Sequence, residues 1–264
     1  MYRAALLVFL GQNLGLTGCA ALPSGKADPR DRFERFNRSI YKFNTALDHA
    51  ILRPTARAYV KVLPRPVRTS INNFTTNLAY PTTVANDFFQ GKVADGVTDA
   101  ARIVVNTLLG LGGLFDPASH MGLDRHTQDF GLTLGHWGVP SGPYLMLPFF
   151  GPSTVRDTAG LVPDYALTYE IVSRNLITNN WVSGGLFVVA QIDRRSQLLD
   201  TDKILDSTYD PYAFLRSAYL QRRDYLIHGD ENPEEMFPDA DTDSSDKSAD
   251  KSSPPAPSPP TPAH

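Results

Sequence analysis

Residues 130–155 read FGLTLGHWGVPSGPYLMLPFFGPSTV, 26 residues that include no Asp, Glu, Lys or Arg. The stretch carries Gly131, Gly135, Gly138, Gly142 and Gly151, together with Pro140, Pro143, Pro148 and Pro152. An uncharged apolar run of this length exceeds the roughly 20 residues of a membrane-spanning helix. The breakers argue against a straight helix, because proline removes a backbone donor and glycine weakens helix interiors. A solvent loop is equally poor, since Trp137, Tyr144, Leu145, Met146, Leu147, Phe149 and Phe150 would stand in water. The remaining reading is an apolar hairpin that folds back at Gly138-Val139-Pro140-Ser141-Gly142-Pro143. Such a hairpin is either buried in a core or meets lipid, provided protein or a cavity satisfies its broken backbone.

The flanking sequence reads as helices. From Asp31 onward, Phe33, Phe36, Ile40, Phe43, Leu47 and Ile51 recur at helical spacing, with Arg32, Arg35, Arg38 and Lys42 opposite. A basic amphipathic helix of this kind either lies in a membrane interface, cations toward anionic headgroups, or covers a protein core. Pro54 is expected to end or kink it. Pro64-Arg65-Pro66 opens a second helix with Val67, Ile71, Phe74 and Leu78 on one face, expected to run to Pro81. A short apolar helix over 82–90 follows, stopped at Gly91. The next carries Val93, Val97, Ala101, Val104 and Leu108 on one face and ends in Gly110-Leu111-Gly112-Gly113, a C-terminal cap. Asp116-Pro117 reads as another helix start. Pro163, residues 181–198 and residues 211–223 supply further helical segments, the last stopped by Gly229. No two-residue alternation marks a strand. The fold class expected is all-α, in one domain over 30–229.

The ends of the chain differ from its middle. Met1-Tyr2-Arg3, the apolar run Ala4–Leu10 and Leu16-Thr17-Gly18-Cys19 have the order of a secretory signal with a small-residue cleavage region. Leu-Thr-Gly-Cys resembles the bacterial lipobox, which makes residues 1–18 a lipoprotein signal peptide and Cys19 the acylated first residue of a tether over 19–29. With one cysteine no intramolecular disulfide forms. Each buried acyl methylene adds roughly 0.8 kcal/mol of anchoring. Ala20 in place of Asp favours the outer membrane, by resemblance to the bacterial sorting rule. Residues 229–264 hold nine acids and two lysines, so the tail over 230–264 is acidic, then rich in Pro and Ser, and is expected to be disordered. The rest after Cys19 is mildly basic, too weakly so to suggest nucleic-acid binding.

The search for chemistry returns little. His120, Asp124 and His126 lie close together, but their spacing fits no strong metal site. Ser141, His136 and Asp129 supply hydrolase residue types, yet Gly138-Val139-Pro140-Ser141-Gly142 is not the G-x-S-x-G elbow and no strand precedes it. No G-x-x-x-x-G-K-[ST] phosphate loop occurs. The residues point to no catalytic site, no metal and no cofactor. A lipid-moving protein, with an apolar rim for acyl chains and a polar passage for headgroups, fits better. A structural lipoprotein that stabilises a porin or the envelope is the alternative, and a lipid-active enzyme dependent on Ser141 a third.

Several motifs, in order, resemble one family. Arg35-Phe36-Asn37-Arg38-Ser39-Ile40-Tyr41-Lys42-Phe43-Asn44, Arg53-Pro54, Asn73-Phe74-Thr75-Thr76-Asn77-Leu78, Gln90-Gly91 and RIVVNTLLGLGGLFD over 102–116 resemble the MlaA (VacJ-like) outer-membrane lipoproteins. So do TLGHWGV, GPYLMLP and GPSTVRD in the central stretch, Ser196-Gln197-Leu198-Leu199-Asp200 and Asp210-Pro211-Tyr212. The resemblance implies a ring of amphipathic helices embedded in the outer membrane and bound to a trimeric porin. It implies removal of phospholipids mislocalised in the outer leaflet through a polar channel to a periplasmic carrier, maintaining lipid asymmetry. It further implies that the hairpin residues Gly138, Gly142, Pro143 and Tyr144 gate the channel, and that Phe43 and Asn44 help hold the gated state. Pro140, with its fixed φ, stiffens that turn.

Overall fold

The structure, a computed structural model, describes residues 28–229 apart from residue 178. Cys19, the signal sequence and the acidic tail lie outside the described residues. Ten α-helices and one two-stranded ribbon follow in order among the described residues. Helix α1 (Glu34–Leu47) runs through a π-helical segment, Asp48–Leu52, into α2 (Arg53–Val62). The sequence places a stop or kink at Pro54. The stop does not occur: the Arg53 N–H donates to the Asp48 carbonyl five residues back, and this wider turn, a break from regular α-helix, lets proline stand at the start of α2 without ending the chain's helical course.

Helix α3 (Arg65–Phe89) corrects another expectation. It is one helix of 25 residues with Pro81 inside it, not two helices meeting there. An interior proline costs about 3 kcal/mol, and packing against α4 (Val93–Leu108), α6 (Phe130–His136), α7 (Val155–Thr168) and α8 (Asn180–Gln197) offsets that loss. Pro163 is likewise interior to α7. A short turn through Gly91, whose φ is +74°, folds α4 back on α3. After α4 the chain turns through Leu111, Gly112 and Gly113, all at positive φ, into the single turn α5 (Pro117–His120).

The uncharged stretch divides differently from the expected hairpin. Its first part is α6, capped by the Asp129 carboxylate accepting from the Leu132 N–H. Residues 137–143 connect α6 to strand β1 (Tyr144–Leu147), so the reversal at 138–143 joins a helix to a strand. The strand hairpin itself lies further on. β1 pairs antiparallel with β2 (Gly151–Thr154), Tyr144 opposite Thr154 and Leu147 opposite Gly151, around a turn containing Phe149 at φ +67°. Each strand has four residues, too short for visible alternation, and Pro148 and Pro152 disguise them further. The fold remains all-α in class with this one ribbon added. A second π-helical segment, Tyr169–Leu176, follows α7. Helices α9 (Asp202–Ser207) and α10 (Pro211–His228) close the chain, with Gly229 at φ +66° ending α10.

Contacts between elements run in a closed circuit. The ribbon strand β1 packs on α1, α2 on α8, α8 on α3, and α3 on α6 and α7. From there α6 meets α10, and α10 returns to β2. The buried apolar cluster is small: Tyr144, Met146, Tyr212 and Leu220, flanked by Ile40, Tyr41, Leu215 and Tyr219. Tyr144 meets Tyr212 and Tyr219 edge-to-face at 6.2 and 6.3 Å. This cluster joins α1, the ribbon and α10.

Candidate lipid-facing surface and polar interior

Helix α4 shows the molecule's polarity most clearly. Its apolar face, read from the sequence, is turned outward: Val93, Val97, Val104 and Leu108 are 56–73% exposed. The opposite stripe, Asp99, Arg102 and Asn106, is buried. The same inversion recurs. Phe33, Phe36 and Phe43 of the first helical stripe are exposed, whereas Asn37 on that helix is wholly buried. On α8, Phe187 and Val188 face out while Asp193 and Ser196 are buried. Among the described residues, 17 buried side chains are polar or charged and eight are apolar. Water-soluble domains show the reverse preference. An exterior of this kind matches hydrocarbon, and no helix among the described residues is long and apolar enough to cross a membrane.

The interior is held by paired charges and amides. Arg102 forks onto Asp116 with both contacts at 3.0 Å, and also donates to the Leu123 carbonyl. Burial pushes the Asp116 carboxyl up, but hydrogen bonds from Ser119 and Asn106 and the charge of Arg102 outweigh it, bringing the group down to about 2. Arg223 of α10 bridges Asp129 at the α6 cap and Asp157 of α7, at 2.9 and 2.8 Å. Against the upward push of burial, Arg223, Tyr219 and Arg156 hold the Asp157 carboxyl below the ordinary carboxylate range. This bridge depends on close backbone approach: a Cβ on Gly160 would lie 2.5 Å from the Gly131 nitrogen. A second network links Asn86, Thr133, Gln90, Gln128 and Asp164. Burial raises the Asp164 carboxyl despite donors from Phe130 N–H and Asn86.

Two asparagines seven residues apart on α1 grip the ribbon. Asn37 donates to the Tyr144 carbonyl at 3.0 Å and accepts from the Met146 N–H at 2.9 Å. It also donates to Asp31 at 2.8 Å. Asn44 repeats the pattern one step along, donating to the Leu147 carbonyl and accepting from the Phe149 N–H, both at 2.9 Å. The Phe43 ring meets Phe149 edge-to-face at 5.4 Å. Phe43 and Asn44 thus hold the turn after β1, not the 138–143 connection. Gly138 and Gly142 sit in that connection at φ +83° and +68°, and Pro143 precedes the strand. Tyr144 is fully buried in the aromatic cluster and anchors the end of the connection. Arg38 departs from the open basic face expected of it, pairing with Asp210 through two nitrogens and lying 4.4 Å over the Tyr212 ring.

The other candidates are dispersed. Among the described residues the Ser141 hydroxyl donates to its neighbouring Gly142 carbonyl alone, at 3.4 Å, and Asp129 is committed to the α6 cap and Arg223, so neither joins His136. His126 turns to Asp99 at 3.2 Å. His120 lines an open groove of about 720 Å³ between the start of α3 and the segment after α4. It is lined by the apolar Leu109, Leu114 and Phe115 and by the polar Arg65, Ser70 and Asn73. Sequence reading missed this groove and the α10 arginines. The polar stripe 99, 102, 106 on α4 was the signal that could have revealed the interior.

Comparison with known proteins agrees with this architecture. The family model described as MlaA lipoprotein matches residues 29–226. The intermembrane phospholipid transport system lipoprotein MlaA of Escherichia coli (strain K12) is 39% identical over 236 residues, covering 88% of this chain and 91% of that protein. The protein of the same name from Haemophilus influenzae is 30% identical over 238 residues, covering 86% and 92%. A solved structure, described as the structural basis for maintenance of bacterial outer membrane lipid asymmetry, superposes with a TM-score of 0.66 at 43% identity. It covers 75% of this chain and 99% of its own.

Proposed function

Because the chain belongs to the MlaA lipoprotein family, we propose that it removes phospholipids mislocalised in the outer leaflet of a Gram-negative outer membrane and so maintains lipid asymmetry. One observation carries this reading: a charged, hydrogen-bonded interior enclosed by an apolar exterior. Acyl chains stay with the exterior, and the phosphate-bearing headgroup follows the polar side. The groove beside Arg65 suits the headgroup, since it combines apolar lining residues with that guanidinium and its volume falls within the roughly 300–1,000 Å³ of small-molecule sites. Asp116, at its edge, is neutralised by Arg102 and does not repel phosphate.

In this proposal the protein binds and passes lipid without catalysing a reaction. Cys19 carries the acyl anchor on the periplasmic side, a trimeric porin holds the protein in place, and a soluble periplasmic carrier receives the lipid. The 138–143 connection moves, its φ > 0 glycines setting the path, while Tyr144 fixes its end. Phe43 and Asn44 hold the adjacent ribbon turn and thereby the closed arrangement.

The test is outer-leaflet phospholipid in a deletion strain, with and without the gene restored. A rise that restoration reverses is expected. An unchanged outer leaflet would sink the transport reading and leave a structural role.

A further inference from the structure

The last turn of α3 holds an anomaly. Asp87 is completely buried, yet neither carboxyl oxygen has a hydrogen-bond partner when both are treated as acceptors. It faces Asp99 of α4, which is also completely buried. Asp99 accepts the Tyr80 hydroxyl at 2.9 Å on one oxygen and meets His126 Nδ1 at 3.2 Å with the other. The charged surroundings are asymmetric. From α4 come Asp99 and Asp95, and from the loop after α5 comes His126, whose other nitrogen is 3.9 Å from Asp95. From α3 itself comes Tyr80, and Arg102 lies 5.8 Å above its ring while committed to Asp116. Asn86, next to Asp87, reaches Asp164 of α7. No arginine or lysine pairs with Asp87 or Asp99 among the described residues.

We infer that Asp87 and Asp99 share a single proton, and that the resulting carboxyl–carboxylate bond is a proton-operated catch fastening the end of α3 to α4. Two like-charged carboxylates in one buried site cannot both ionise without a large penalty. Asp99 is the member provided with donors, so Asp87 keeps the proton and donates it to Asp99. Burial first, and Asp99 second, raise the Asp87 carboxyl far above its ordinary range, to about 7. The catch sits at the elbow: the Lys92 N–H donates to the Asp87 carbonyl at 2.9 Å, and Gly91 follows at positive φ. Loss of the shared proton puts two negative charges between α3 and α4 and loosens the elbow. The groove lies between the start of α3 and the segment just past the end of α4, so a looser elbow should widen it, a consequence that rests on the transport reading above.

The experiment needs no lipid transport, so its failure and that of the transport reading are separable. Full-length protein in detergent is unfolded with urea between pH 5 and 8.5, beside Asp87→Asn. The folded-state value is raised, so folding takes up a proton and stability falls as pH rises. The wild-type folding constant is expected to drop about tenfold per pH unit up to about pH 7, relative to the variant. The asparagine amide keeps a donor toward Asp99, so the variant should fold and lose this component. Asp99→Asn, which also breaks the acid pair, is the second variant. Trp137, whose indole N–H donates to the Phe89 carbonyl at 2.9 Å, reports the elbow directly in a Trp181→Phe background. Its emission should move with pH in the wild type and not in Asp87→Asn. Parallel pH profiles for wild type and both variants would overturn the catch. So would magnesium or calcium stabilising the wild type alone, which would make the pair a cation site.

Discussion

Replacing Asn37 by alanine should be the most damaging single change to the ribbon. The side chain is wholly buried and makes three hydrogen bonds. Tyr144 N–H is satisfied by the Arg30 carbonyl, but the Tyr144 carbonyl and Met146 N–H on the same strand edge depend on Asn37. Alanine would strand both beside the apolar cluster, where each unsatisfied group costs about 1–3 kcal/mol. Asp31 suffers less, because it keeps Tyr212 and Arg216. The expected loss is therefore about 2–6 kcal/mol, a large share of the roughly 5–15 kcal/mol of a folded domain. Urea unfolding of the full chain in detergent, followed by circular dichroism, measures it. Asn44→Ala is the internal control. It removes the same pair of bonds from a turn open to solvent, so water replaces them and the loss should be about 1 kcal/mol. Equal losses for the two variants, or a loss under about 0.5 kcal/mol for Asn37→Ala, would refute the claim that this amide closes the strand edge.

Other expectations follow from the same contacts. Asn44→Ala, alone or with Phe43→Ala, should alter outer-leaflet phospholipid while the protein stays folded; normal asymmetry in a membrane-embedded variant would remove these residues from the gate. Gly160→Ala should destabilise by about 3 kcal/mol, because its new methyl meets the Gly131 backbone, which cannot yield like a side chain; a near-neutral melting temperature would disprove that contact. The Asp116 carboxyl is depressed to about 2, so its stabilisation is present above pH 4 and lost as pH falls through 2, worth about 2 kcal/mol. Asp116→Asn should forfeit it at pH 7 and flatten the acid transition in circular dichroism. Cys19→Ala should leave the folded domain intact but move it to the soluble periplasmic fraction, and retention in the membrane fraction would show that the helices alone suffice.

The helices were legible because their apolar residues keep a 3.6-residue period, and the period survives whichever side meets the apolar phase. The side was not legible. Val93, Val97, Val104 and Leu108 define an apolar face equally well for a core or for lipid, and only the fold shows that Asp99, Arg102 and Asn106 take the inside. Pro81 misled boundary reading because tertiary packing outweighs one missing hydrogen bond. The ribbon was invisible for a different reason. Its strand β1 is fixed by asparagines more than 100 residues earlier, a pairing no local pattern can express. The turn at 138–143 and the stripe containing Phe43 were visible in the residues, whereas the gating roles expected of Phe43-Asn44 and the Gly138–Tyr144 segment came from resemblance alone. What each touches came from the structure, as did the α10 arginine that joins α6 to α7.

The inverted polarity described above also shapes how stability responds to temperature. Unfolding a water-soluble domain exposes apolar surface, and this gives it a large positive heat-capacity change. Here the apolar faces are already on the outside, and what unfolding uncovers is largely carboxylate, guanidinium and amide, whose hydration lowers heat capacity. Calorimetry in detergent should give less than the usual ~12–15 cal/mol/K per residue. The stability curve would be correspondingly flat, its cold-unfolding limit pushed far below freezing. A molecule built this way should keep a more even margin of stability between cold and heat than a water-soluble domain of its size.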